Sequence, residues 1–383
     1  MPRHLHAIHH LPHLGELGKL SWNISIGSLA GSMGSLFVPI YLFAVLGYAL
    51  PMVFVYFAAI GLTAVALHFL GGWLLRYIGG HKLMVLSDIL DSVAMILLAT
   101  APHFGWPLLL IALFKGSGKG LYWPAFHASF SQHRNRSRAG RQISALSVLL
   151  MIMTGLAPAL GGFIGSAFSL SLVYVLVVVL TLISMLPQLV GPDESRGYRV
   201  QFDSIPWRKV MRDYISGFSY TISGIVDGVL WPLAIYLLIP SYASVGALSS
   251  LVLLASVFVA LYVGRREERK GAKRYLREGS WLQSATSALR LVSQSTSMIA
   301  GVNFLTGIIN SLVYTPFTTR YYANADSERR VEYVIGMEIA HSLGWMTFSV
   351  FMVIALLLLP LPVAIGSGLL LGVPAAFGMR LIR

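Results

Sequence analysis

Eight ionisable side chains interrupt apolar stretches of the 383-residue sequence: Asp88, Asp91, Lys115, Lys119, Asp227, Arg290, Glu338 and His341. An ionised group inside a bilayer costs several kcal/mol on insertion scales, so each is read as a working residue whose partner must be named. Lys115 and Lys119 are four apart and share a helix face. Counting about 1.5 Å per residue from Gly105 puts Lys115 about 15 Å deep. Asp91 falls at a depth like that of Lys119, so Asp91 and Lys119 are expected to form a structural ion pair. Lys115 is left for an anionic group of a ligand or for a partner across a cavity. Asp227 lies among Ser219, Tyr220, Ser223 and Trp231. It is either a proton-coupling carboxylate or a static partner of Lys115 or Arg290. Glu338 and His341, three apart, either relay protons or leave Glu338 to cap a helix or pair with a loop arginine.

These residues need long apolar elements to hold them. The composition is 56% hydrophobic and 11% charged, with a mean hydropathy of +0.72, where soluble domains carry roughly 25% charged residues. A water-soluble protein is excluded. At roughly 30 residues per membrane-spanning helix and its turn, the length accommodates about twelve spans. The expectation is an all-α integral membrane protein of twelve transmembrane helices in two pseudo-symmetric six-helix bundles. The ninth span, near residues 277–296, is rich in Ser and Gln and carries Arg290. It is either buried among other helices or miscounted.

Cysteine is absent, which excludes disulfides, thiolate metal centres and cysteine nucleophiles. No metal or other cofactor is expected. The net charge of +13 gathers in alternate loops: Arg76 and Lys82, then Arg134 to Arg141, then Arg196 to Arg212, then Arg265 to Arg277. The intervening turns hold no Lys or Arg. Such asymmetry marks the cytoplasmic side of a membrane rather than a nucleic-acid surface, so no nucleic-acid partner is expected. Both termini are expected in the cytoplasm, in the plasma membrane of a prokaryotic cell, with no signal peptide and a monomeric state. The leading segment carries His4, His6, His9, His10 and His13, read as an interfacial tail before a metal or pH sensor. The domain plan is an N-terminal bundle over 1–190, a cytoplasmic linker over 191–212 containing Pro192 and Pro206, and a C-terminal bundle over 213–383.

An internal repeat supports two halves. Tyr122 and Pro124 of LYWPAF match Tyr314 and Pro316 of VYTPFT, 192 residues later, and the same offset takes Gly79 to Gly271 and Lys82 to Arg274. Pro39 matches Pro232 one residue further on. Duplicated halves are common in transporters.

The loop Gly72-Trp73-Leu74-Leu75-Arg76-Tyr77-Ile78-Gly79-Gly80-His81-Lys82 resembles the short basic signature of the major facilitator superfamily. Its counterpart, with Glu268, Arg269 and Gly271, keeps an acid, a base and a glycine in place. Pro158-Ala159-Leu160-Gly161-Gly162 is similar to the tail of that family's antiporter motif. The resemblance implies that Gly72, Arg76, Gly79, Lys82, Glu268, Arg269 and Gly271 form gate loops. It also implies that the first, fourth, seventh and tenth spans surround a central cavity. The substrate-binding residues would then be Asn23, Ser32, Lys115, Trp123, Trp231, Asn303, Asn310 and Tyr314, joined by Ser28 and Asp227. Gly116-Ser117-Gly118-Lys119-Gly120 looks like part of a phosphate loop, but the leading glycine is Leu113 and the closing hydroxyl residue is Gly120. The glycines of the first and fourth spans are read as close-packing points.

The function expected is secondary active transport of a small solute by alternating access, without enzymatic chemistry. Coupling would be to protons, through Asp227 or through Glu338 and His341. Export of an amphipathic compound is preferred to uptake of a polar or anionic metabolite. A lipid scramblase or a non-transporting scaffold is the reading from another class, and buried Asp227 and Lys115 count against the scaffold.

Overall fold

The computed structural model describes residues 16–133, 139–189, 200–205, 207–270, 272–327 and 330–383. Among the described residues every regular element is helical. The histidine tail and Gly271 lie outside them, as do the side chains of Glu268 and Arg269 and residues 191–199 and 206 of the linker.

Twelve helical rods make up the fold. The first six are α1 (Glu16–Ser35, resuming as Val38–Ala44), α2 (Leu50–Ile78), α3 (Gly80–Phe104), α4 (Leu108–His133), α5 (Ala139–Ala167) and α6 (Leu170–Met185). The second six are α7 (Met211–Ile225, a π turn Val226–Leu230, then Trp231–Leu238), α8 (Tyr242–Lys270), α9 (Ala272–Leu289), α10 (Thr296–Ser327), α11 (Arg330–Leu358) and α12 (Leu361–Leu370, resuming as Gly372–Gly378). Counted over the described residues, eight of these rods are long and apolar enough to cross a membrane by themselves. The ninth is an amphipathic rod. Ser280, Gln283, Ser284, Thr286 and Ser287 are buried, whereas Trp281, Leu282 and Leu289 face outward. Its polar stripe therefore turns towards α10 and α12, on which it packs.

The repeat is visible in the packing. In the first half α2 packs on α4, α3 on α4 and α6, and α1 on α5 and α6. Adding six to each index gives the second half: α8 on α10, α9 on α10 and α12, and α7 on α11 and α12. The halves meet along α2 with α11 and α5 with α8, and the same rule exchanges these two seams. The first rods of each half are also interrupted alike. Helix α1 restarts with Val38-Pro39 and α7 with Trp231-Pro232. Proline is accommodated there because the opening turn of a helix has no intrahelical acceptor for its N–H.

Glycines let the seams close. At Gly61 a Cβ would lie 2.9 Å from the Met346 nitrogen, and at Gly72 it would lie 2.9 Å from Ile335 Cδ1, so α2 and α11 touch along much of their length. On the opposite seam Gly162 sits against the Tyr242 carbonyl and Gly246 against the Pro158 carbonyl, with no room for a Cβ. This contact lies at the end remote from the basic loops. There an apolar core that includes Tyr41, Phe54 and Phe57 of the first half and Trp231, Leu233 and Phe348 of the second seals the molecule.

Candidate functional site

A cavity of about 560 Å³ lies between the halves. It runs from Leu36, Trp231 and Asn303 to Tyr322 and Met379, nearer the basic-loop end. Of the residues expected to bind solute, Ser28, Ser32, Trp123, Asp227, Trp231, Asn303, Asn310 and Tyr314 are on its wall. The sequence reading had not named Tyr220, Gln283 or Arg290 for this wall, where all three are found.

The polar floor centres on Asp227, carried on the π turn of α7. Such turns widen a helix by one residue and are frequent at functional sites. Arg290 Nη1 donates to Asp227 Oδ1 at 2.5 Å, and Asn310 Nδ2 donates to Asp227 Oδ2 at 3.3 Å. The Arg290 guanidinium lies 5.3 Å from the centre of the Trp231 ring. Trp231 Nε1 donates to Asn303 Oδ1 at 2.7 Å, and Asn303 Nδ2 donates to the Leu248 carbonyl at 2.9 Å. Asp227 is therefore not a carboxylate without a cation: of the alternatives open in the sequence, the structure gives it Arg290 as partner. Arg290 belongs to a 3₁₀ turn that ends α9, where its long side chain reaches across to α7.

Three expectations are corrected. The Asp91–Lys119 pair is absent; Lys115 Nζ instead lies 2.6 Å from Asp91 Oδ1. Depth alone had suggested the wrong lysine, and the helix faces decide it. Gly118 rests on α3 beside the Asp91 backbone, and a Cβ there would be 3.3 Å from the Asp91 nitrogen. Lys115, three residues before Gly118, is turned about 60° from it, whereas Lys119 is turned about 100° and lies one helical turn further along, towards α11. Its ammonium sits 4.1 Å from the Trp345 ring centre. Lys115 is consequently spent on Asp91 and is not on the cavity wall. Asn23 is also off the wall. Its amide donates to Asp88 Oδ2 at 2.9 Å, and Tyr122 donates to its Oδ1 at 2.8 Å, knitting α1, α3 and α4.

Among the described residues no loop arginine holds Glu338. His341 Nδ1 lies 3.4 Å from its Oε1, and His127 Nε2 of α4 lies 4.0 Å from the same oxygen. Close by, His68 of α2 donates from Nδ1 to the Gly120 carbonyl at 3.0 Å and accepts from the Ser342 hydroxyl at 3.0 Å. His68 and His127 were passed over in the sequence. Each was legible there as an ionisable residue within an apolar run, and His127 follows Lys119 and Trp123 at a spacing of four.

Among the residues expected to form gate loops, Gly79 turns the chain between α2 and α3 with φ +80°, a conformation that favours glycine. Gly72 admits Ile335 and Phe202. Arg76 lies over Tyr77 at 5.3 Å, and Lys82 is exposed.

Comparison with known proteins places this architecture. The family model described as Major Facilitator Superfamily matches residues 20–210. No curated protein matches the chain. A crystal structure of a mutant form of the nucleoside transporter NupG superposes with a TM-score of 0.71 at 11% identity, covering 96% of this chain and 100% of that one; at this identity the likeness speaks for the fold. With the matching helices, the exchanged seams and the cavity between two halves, the chain belongs to the major facilitator superfamily and is a multi-pass secondary transporter.

Proposed function

We propose that the protein carries a small amphipathic solute out of the cell in exchange for protons. The observation that carries this reading is the cavity wall. Aromatic rings of Trp123, Phe126, Tyr220, Trp231 and Tyr314 face a polar cluster of Asp227, Arg290 and Asn310. Rings offer apolar area and stacking, while a few placed polar groups orient the ligand. The direction rests on Pro158 to Gly162, whose antiporter-like sequence packs on Tyr242 and Gly246 at the end remote from the basic loops. Sealing that end keeps outside solute from the cavity while solute loads from the basic side, taken here as the cytoplasm of a prokaryotic cell. The solute-binding residues are Ser32, Trp123, Trp231, Asn303, Asn310 and Tyr314. Proton exchange is assigned to Glu338 and His341 and to Asp227, which must leave Arg290 to be protonated.

Uptake of a polar metabolite is the second reading. It is favoured by the paired amides Asn303 and Asn310 on the wall, which suit a ligand with several hydrogen-bonding groups, and by the cargo named for NupG. An anionic metabolite has less support, because Lys115 is engaged by Asp91.

The test begins with melting of the purified protein against a panel of amphipathic cations, drugs and nucleosides. A ligand at one hundred times its Kd stabilises by about 2.7 kcal/mol. Compounds that raise the Tm of the parent should do so far less in Trp231→Ala and Asn310→Ala. The same compounds should drive proton flux in proteoliposomes holding a pH dye, and Asp227→Asn should abolish it. Equal binding by the wall variants removes the cavity from the reading; unchanged flux in Asp227→Asn removes that residue; lipid movement without solute coupling points to a scramblase.

A further inference from the structure

We propose that the groove between α9 and α12, at its basic-loop end, binds the headgroup of an anionic phospholipid between Arg277 and Arg380. The inference is independent of which solute the cavity takes and of the direction in which it moves. Trp281 of α9 and Phe377 of α12 meet edge to face, with ring centres 4.7 Å apart. Trp281 is 61% exposed, so the pair opens outward, and tryptophan in such a place sits at the level of lipid headgroups. Arg380 belongs to the 3₁₀ turn Met379–Leu381 that closes α12 and packs on α9. Its guanidinium lies 5.5 Å from the Phe377 ring centre. Arg277 precedes Trp281 by four residues and shares its face of α9. At about 1.5 Å per residue, Arg277 lies about 6 Å and Arg380 about 5 Å from the aromatic pair, both towards the basic loops. One arginine therefore stands on each helix at the same depth, with rings beneath them.

Among the described residues neither guanidinium has a carboxylate partner, whereas Arg274 is paired with Glu278 at 2.8 Å and Arg383 with Asp213 at 3.0 Å. A phosphodiester between the two forks accepts hydrogen bonds from both and relieves their repulsion. Basic pockets between spans on the cytoplasmic side suit such headgroups. The acyl chains find Trp281 and, further along α9, the exposed Leu282 and Leu289. This contact answers a need, because α9 is not one of the eight rods apolar enough to cross a membrane unaided.

The duplication supplies an internal comparison. The 192-residue offset takes Arg277 to Val85, Trp281 to Ile89, Phe377 to Met185 and Arg380 to Gln188, in the equivalent groove between α3 and α6. No base stands at these positions. Gln188 is buried and donates to the Lys19 carbonyl at 3.3 Å. The fold itself therefore does not require the two arginines. Charges that serve only to orient a chain in the bilayer can sit in loops, as Arg208 and Lys209 do. Arg277 and Arg380 are instead set on helical turns around an exposed aromatic pair.

The test uses the purified full-length protein in detergent, titrated with dioleoylphosphatidylglycerol or dioleoylphosphatidylcholine, with bound lipid counted by native mass spectrometry. The parent should prefer phosphatidylglycerol by about fivefold or more. Arg277→Gln and Arg380→Gln should each weaken its binding by about fivefold, and the double variant should bind the two lipids alike. Arg277→Lys combined with Arg380→Lys keeps the charges and should keep the preference, which separates a lost charge from a damaged groove. Lys82→Gln, at the same end of the first half, should leave the preference intact. Equal binding of the two lipids by the parent overturns the proposal. So does a preference that survives in the double glutamine variant, one that is lost in the double lysine variant, or one lost equally in Lys82→Gln. Displacement of phosphatidylglycerol by excess inorganic phosphate would assign a soluble anion to the arginines and overturn the lipid site.

Discussion

Lys115 and Asp91 hold each other at 2.6 Å with side chains 23% and 25% exposed, which bounds what their pairing contributes. A fully buried pair loses about 3–5 kcal/mol when one partner is removed, and solvent contact reduces that. Lys115→Met and Asp91→Leu are each expected to cost about 2 kcal/mol, and the double variant should regain most of the loss because no charge is left stranded. Chemical unfolding in detergent across the four proteins measures the coupling; additive losses would show that the contact is not energetic. The sequence exposed these residues readily, since a charge in an apolar run has a high cost and few reasons to be there. It did not expose their partners. Whether Asp91 meets Lys115 or Lys119 depends on a shift of about one turn and a rotation of about 40° along α4, and that placement is set by where Gly116, Gly118 and Gly120 let α2 and α3 approach. Asn23 left the expected cavity list for the same reason: its face of α1 turns towards Asp88 and Ser184.

At the scale of elements, twelve spans were legible because length, hydropathy and basic loops repeat with one period, and even the polar ninth rod falls where a span was required. The interior of spans was less legible. Pro39 and Pro232 mark interruptions in α1 and α7, yet the π turn that carries Asp227 has no residue signature of its own. Seams are where small changes should act most strongly. Gly246→Ala adds a Cβ against the Pro158 carbonyl of α5, and overpacking of this kind costs about 1–3 kcal/mol. The cost falls on the closed arrangement alone, so the balance should shift by about tenfold for each 1.4 kcal/mol towards a form open at that end. Ser32→Cys in the otherwise cysteine-free chain gives the measurement. Its modification by a maleimide added from the side remote from the basic loops should be slow in the parent and about tenfold faster with Gly246→Ala. Equal rates would mean that α5 and α8 do not gate that end.

For the whole molecule, two arguments converge on orientation. Each half contains an even number of rods and their packing is related by adding six to every index, so the start of α1, the linker and the end of α12 are expected on one side of the membrane. Charge gives the expected side, because Lys and Arg in short loops are generally retained in the cytoplasm. Arg76, Lys82, Arg208, Lys209, Arg212 and Arg277 gather at that end, whereas Phe104, Phe168 and Leu358 mark the other. Single cysteines at Lys82 and Phe104 should therefore respond oppositely to a membrane-impermeant maleimide applied to intact cells. Phe104→Cys should be modified at once, and Lys82→Cys only after the membrane is permeabilised. Modification of Lys82→Cys in intact cells would invert the protein in the bilayer. The seal of Pro158, Gly162, Tyr242 and Gly246 would then face inward, and the export direction would have to be reversed with it.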